Sequence, residues 1–258
     1  IAARQDLDSI VHVVLKQLRD HLPTDFGAVF IYDLQSRTLR AVSHQCRDQA
    51  HTPDAALLSV THGIRDAFPW TVDDVAAMTP ARIADATGQD PDHELMALYA
   101  AALRELGAKA AARGGFLALA RTPGLAHELA TWPTFADPGF WKRAQITAYD
   151  VACAGLLPHG AEGDLTMFAD NLVPHVLRLD GVLAYDAALL ARIEAGELLQ
   201  HGSREEVEIR AAGVHAVAAL ARLREDLTEP SIDNLLWTRG QEPRYKAVPR
   251  HRVRCSAY

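Results

Sequence analysis

The stretch HELMALYAAALRELGAKAAA, residues 93–112, decides the class of fold. It is made largely of Ala, Leu, Glu, Lys and Arg and holds neither a proline nor a β-branched residue, so little is lost on entering a helix. The composition predicts one long helix that Gly114-Gly115 closes. Outward toward the C-terminus the same logic predicts short helices at 116–121 and 125–131, a loop at 133–139 and a helix at 140–153. A second loop at 158–163 follows, then helices at 165–179, 187–195, 204–227 and 231–237. Ser203-Arg-Glu-Glu206 has the Ser-x-x-Glu form of a capping box. In the other direction, Thr79 before Pro80 fits a helix cap, Thr71 fits another, and 55–68 reads as helical. The body is expected to be all-helical.

Before residue 53 the pattern changes. Leu7, Ile10, Val11, Val14, Leu15 and Leu18 fall on one helical face over 6–22, and Pro23 ends it. Residues 26–32 and 38–43 are rich in β-branched and aromatic side chains, with Asp33-Leu-Gln-Ser36 between them as a turn. Helix, strand, turn, strand resembles the opening of a GAF sensory domain. The expected division is therefore an atypical segment at 1–52 and a helical domain at 53–258.

The formal net charge of -7 at pH 7 makes the chain a poor partner for a polyanion bound without sequence preference. Positive charge gathers instead in the tail, at Arg244, Lys246, Arg250, His251, Arg252 and Arg254. Such a tail is either a solvated terminus or part of a pocket for a single phosphate. Cys46, Cys153 and Cys255 are far apart and form no CxxC or Cys/His zinc spacing, which fits a reducing cytoplasm. No apolar run reaches the ~18 residues a membrane span needs. Opening on Ile1, the sequence fits a piece of a longer protein. Phosphate-loop, dinucleotide, zinc-protease and Gly-x-Ser-x-Gly motifs are absent, which argues against those enzyme classes.

Asp170 draws attention because Leu165, Met167, Phe168, Leu172, Val173, Val176 and Leu177 surround it in what reads as one apolar helix. A charge buried there costs several kcal/mol unless it is paired. Lys142-Arg143 forms a second polar cluster. Asp233 and Trp237 stand four apart on one helix, an acid beside an aromatic platform, which suits a flat heterocycle with N–H donors. Taken singly, Trp237 reads more often as core packing, and Asp233 reads equally well as a helix N-terminal charge facing the dipole. Glu206 and Arg210 are an i,i+4 pair, most simply structural.

Six segments, 140–146, 165–171 with Pro174, 181–183, 202–210, 233–237 and 251–254, match the queuosine salvage family in order and spacing, and the chain resembles that family over roughly 55–258. The resemblance implies an all-helical fold like that of helix-hairpin-helix DNA glycosylases. It implies hydrolysis of the N-glycosidic bond of queuosine 5′-monophosphate, releasing the 7-deazaguanine base queuine for reuse in tRNA modification. It implies no metal and no cofactor, a small-molecule nucleotide partner rather than a nucleic acid or a membrane, and leaves the oligomeric state open. By the same resemblance Asp170 is the catalytic carboxylate. Phe168, Asn171, Asp233 and Trp237 line the base and ribose, and Lys142, Lys246 and His251 are the expected phosphate contacts. One feature departs: the family's Asp-x-x-Asn-Phe segment before the position of Ala55 has no counterpart in 1–52. Two other readings share these features, a catalytically impaired relative that binds or senses a nucleotide, and a DNA or nucleoside glycosylase of other specificity.

Overall fold

The computed structural model describes residues 26–33, 38–46, 63, 67, 69–157, 164–224 and 226–258. Two compact units divide the chain, Ile1–Ala111 and Ala112–Tyr258. The boundary expected near residue 52, the helix expected at 6–22 and most of that expected at 55–68 lie outside the described residues.

In the first unit, β1 (Phe26–Asp33) and β2 (Thr38–Cys46) pair antiparallel, Phe26 opposite Cys46 and Asp33 opposite Thr38, with a register shift between Val29 and Phe30. The expected hairpin is therefore present. Three helices follow, α1 (Val72–Ala76), α2 (Pro80–Thr87) and α3 (Glu94–Ala112). Thr71 and Asp74 form a reciprocal capping box, and Thr79 caps α2 with Pro80 in its first turn, as the sequence predicts. Met78, Ile83, Ala84, Met96 and Ala100 form the core beneath them. Gly107 is required where α3 meets α1, since a Cβ there would stand 2.3 Å from the Ala76 nitrogen.

The second unit holds α4 (Phe116–Ala120), α5 (Leu125–Ala130), a 3-10 turn (Pro133–Phe135) and α6 (Lys142–Cys153). Then come α7 (Val173–Leu179), α8 (Ala187–Glu194) and β3 (Leu198–Leu199). The chain finishes with α9 (Arg204–Arg222), α10 (Glu229–Arg239), α11 (Pro243–Lys246) and β4 (Arg252–Val253), which pairs parallel with β3. Met167, Ala169, Val173, Leu177, Val217 and Ile232 form the core on which α7, α9 and α10 pack. Gly213 lets α9 approach α7, where a Cβ would meet Pro174 Cγ at 3.0 Å. Mainly helical architecture is thus the outcome, with small β elements.

The helix expected at 165–179 begins only at Val173. Pro174 supplies one reason, because its ring in a continuous helix would clash with the carbonyl four residues back, at Asp170. The other is that side chains from neighbouring helices already occupy the backbone groups of 166–169. Ser203 also departs from the full capping box: its hydroxyl accepts from the Glu206 amide at 3.4 Å, but the Glu206 carboxylate turns to the Gly202 amide instead.

Candidate active site

The site grows from the irregular stretch 165–172, which borrows its hydrogen bonds residue by residue. The Thr166 amide donates to Gln145 Oε1 at 2.8 Å, and the Gln145 amide nitrogen donates to Thr166 Oγ1 and to the Phe140 carbonyl. The Met167 amide donates to Glu229 at 3.3 Å, and the Phe168 amide to Asp233 Oδ1 at 3.1 Å. The Ala169 carbonyl accepts from Arg210 Nε at 2.9 Å. A buried backbone without helix or sheet partners must be satisfied in this way or lose the full desolvation cost of each group. Met167 and Ala169 join the core, while Phe168 lies against Tyr149 with ring centroids 5.5 Å apart.

Asp170 ends the stretch. Its Oδ1 accepts from the amides of Leu172 and Val173 at 2.8 and 3.0 Å, closing the entrance to α7. Among the described residues Oδ2 accepts no hydrogen bond, so both bonds to the carboxylate fall on Oδ1. Burial pushes the Asp170 carboxyl up, against the pull of the Val173 amide, Lys142, the Leu172 amide and Arg250. Asp233, on α10, is pushed up to about 7 by burial and then by the charge of Asp170, with the Phe168 amide and Lys142 opposing. Two acids bonded to neighbouring stations of one backbone stretch are thus both held above the ordinary carboxylate range. Asp233 holds its proton below about pH 7.

Lys142 is the first residue of α6, and its charge reaches both acids. The residue before it, Trp141, is the one non-glycine with positive φ among the described residues, at 54°. A left-handed tryptophan costs about 1–2 kcal/mol. It is held there by Asp137, whose carbonyl accepts from the Trp141 amide and whose carboxylate accepts from the Lys142 amide, and by an edge contact to His127.

Behind the acids lies a buried ionic cluster. Arg210 meets Asp137 through both terminal nitrogens, at 2.8 and 2.6 Å, and Glu206 at 3.2 Å. Its guanidinium carbon stands 4.0 Å from the Phe140 ring centroid and 4.5 Å from that of Tyr258. The Tyr258 hydroxyl donates to Glu206 at 2.9 Å. The i,i+4 pair seen in the sequence is therefore not a surface pair but the interior of the unit.

The expected residues fall into two groups. Asp170, Asp233, Phe168 and Lys142 are brought together, and half-buried Asn171 follows Asp170 directly. Trp237 lies one turn beyond Asp233 and is 48% exposed. Lys246 is exposed at the end of α11. Arg250, which sequence reasoning did not single out from the basic tail, is the tail cation whose charge reaches Asp170. His251 is buried, and among the described residues neither ring nitrogen has a hydrogen-bond partner. Burial, then Arg210, His175 and Arg250, depress it to about 4, so it is neutral at physiological pH. His175 is also depressed, chiefly by burial; its Nε2 must donate to the Tyr245 carbonyl, which can only accept, leaving Nδ1 to accept from Arg178. Asp137 and Gln145 were missed; only their nearness to Lys142 in sequence could have pointed to them. Among the described residues no three His, Cys, Asp or Glu side chains gather into a metal-binding group.

Residues 136–258 match the family described as queuosine salvage protein. A protein of Sphaerobacter thermophilus named queuosine 5′-phosphate N-glycosylase/hydrolase is 41% identical over 127 residues, covering 46% of this chain and 39% of the relative. Relatives of the same name in Mus musculus and Dictyostelium discoideum are 34% and 36% identical, covering 40% and 38% of their own length. The chain thus spans about two fifths of the length of the curated relatives it matches. The family match begins at residue 136, later than the expected 55, and contains all six segments that carried the resemblance.

Proposed function

We infer that this chain, whose residues 136–258 match the queuosine salvage family, hydrolyses the N-glycosidic bond of queuosine 5′-monophosphate and releases queuine. The observation that carries the reading is the pair of buried acids, both pushed up by burial and Asp233 to about 7, with the charge of Lys142 reaching both. Breaking the bond from C1′ to a base nitrogen builds positive charge on the ribose. Asp170, with Oδ1 fixed by two amides, supplies in its ionised form a placed negative charge beneath that carbon. Asp233, protonated below about pH 7, can donate to the departing base and later take a proton from the attacking water. Phe168 and Trp237 offer faces for the flat base, and Asn171 a polar contact for the ribose. Lys142, Arg250 and neutral His251 offer donors for the phosphate, and Lys246 extends the same basic side. Phosphate binding is remote from the cleaved bond, so its energy can be used to position C1′ over Asp170.

Chromatography of queuosine 5′-monophosphate incubated with the purified chain tests this, with Asp170→Asn as control. Wild type is expected to release queuine, and Asp170→Asn to lose activity by on the order of 10³-fold or more while keeping its fold. Nucleotide binding without release by folded wild type would replace the hydrolase by a binding relative. Equal rates in both proteins would remove Asp170 from its role.

A further inference from the structure

We propose that Arg210 is a positioning residue that fixes Asp170 relative to Lys142, an inference that rests on the reading of these two residues given above. One planar guanidinium joins the two halves of the site. On one edge Nε donates to the carbonyl of Ala169, the residue before Asp170. On the other, Nη1 and Nη2 donate to the two oxygens of Asp137, whose Oδ2 also accepts from the Lys142 amide at 3.0 Å. Moving the guanidinium would therefore move the backbone that carries Asp170 and the turn from which Lys142 projects. The rings of Phe140 and Tyr258, with Glu206, hold the fork in place, and Arg210 is 1% exposed.

The chemistry requires arginine. A lysine has a single nitrogen and cannot span the Ala169 carbonyl and both Asp137 oxygens in a fixed plane. Nor is stability the natural purpose of such a cluster. Buried ion pairs contribute little net stability compared with apolar residues of the same volume, because the desolvation cost offsets the attraction. What the cluster does supply is a fixed distance and direction between two elements far apart in sequence. Arg210 contacts neither acid's carboxylate, so it acts through the backbone.

The test compares wild type with Arg210→Lys and with Ile193→Ala, a core variant of the same unit that makes none of the Arg210 fork's contacts. Turnover of queuosine 5′-monophosphate is measured per folded molecule, together with hydrogen exchange at the Leu172 and Val173 amides, which bond to Asp170. For Arg210→Lys, kcat is expected to fall on the order of 100-fold with KM within about 3-fold, the signature of displaced reacting groups. The two amides lose protection in that variant. In Ile193→Ala, Tm falls while kcat per folded molecule and the two amides stay as in wild type. A kcat loss in Arg210→Lys no greater than in Ile193→Ala overturns the proposal. If Arg210→Lys does not fold, Asp137→Asn, which keeps the shape and weakens the same fork, takes its place with the same expectations. If wild type releases no base, the hydrolase reading fails by itself, and the amide exchange alone decides: protection retained in the variant overturns the positioning role.

Discussion

Asp233 carries a stability cost that its position in the site explains. Its carboxyl is 4% exposed, bonded to the Phe168 amide, and close enough to Asp170 to feel that charge. Unfolded, it titrates near its ordinary value of 3.8; folded, at about 7. Between those values the native state holds a proton that the unfolded state has released, so stability falls as pH rises through this window. Asp233→Asn keeps an acceptor for the Phe168 amide and removes the titration. It is expected to leave stability unchanged near pH 4 and raise it by up to about 4 kcal/mol above pH 7. Urea unfolding at pH 4, 6 and 8 measures this, and a gain that does not grow with pH would place the proton elsewhere. On activity the same group sets the alkaline limb: kcat/KM is expected to decline above about pH 7 in wild type. Lys142→Ala is expected to weaken the phosphorylated substrate far more than the free nucleoside; equal losses on both would take Lys142 out of phosphate binding.

The stretch 165–172 is an element with no regular class, and its stability is lent by others. Gln145 closes four bonds with Phe140 and Thr166. Gln145→Ala removes them, but Thr166 is exposed and water can take their place there, so the expected cost is about 1 kcal/mol, seen as a lower urea midpoint at unchanged slope. At this scale the sequence was informative where signals are local. Thr71, Thr79-Pro80 and the Ala/Leu run of α3 are read by neighbours three or four residues away, and the structure places those elements as expected. Leu165 to Leu172 was misread because its apolar residues have helical spacing, while its actual partners, Gln145, Arg210, Glu229 and Asp233, lie 21 to 65 residues distant. Pro174 was the local warning. Asp170 and Asp233 emerged as chemically notable residue types, yet the upward shift of both carboxyls comes from burial, joined at Asp233 by the charge of Asp170, which no spacing reveals. Arg210 was visible only as half of a helical ion pair.

At the scale of the molecule, salt dependence is the property that tells a single nucleotide from a nucleic acid as partner. A net charge of -7 repels a polyanion, and the cations that reach Asp170 are Lys142 and Arg250, enough for one phosphate group. A glycosylase acting on duplex DNA would neutralise many phosphates, and its affinity would fall steeply with salt, by a slope near -0.9 for each. Binding of queuosine 5′-monophosphate to Asp170→Asn, which holds the substrate without consuming it, is expected to weaken by no more than about tenfold for a tenfold rise in salt. Because the site lies in the unit Ala112–Tyr258, ligand at about 100 times its Kd should stabilise that unit by about 2.7 kcal/mol. The unfolding midpoint of that unit should then rise on adding nucleotide, whereas a duplex containing a damaged base should leave it in place. A shift with the duplex and a steep salt slope would instead make a DNA glycosylase the better reading of the same two acids.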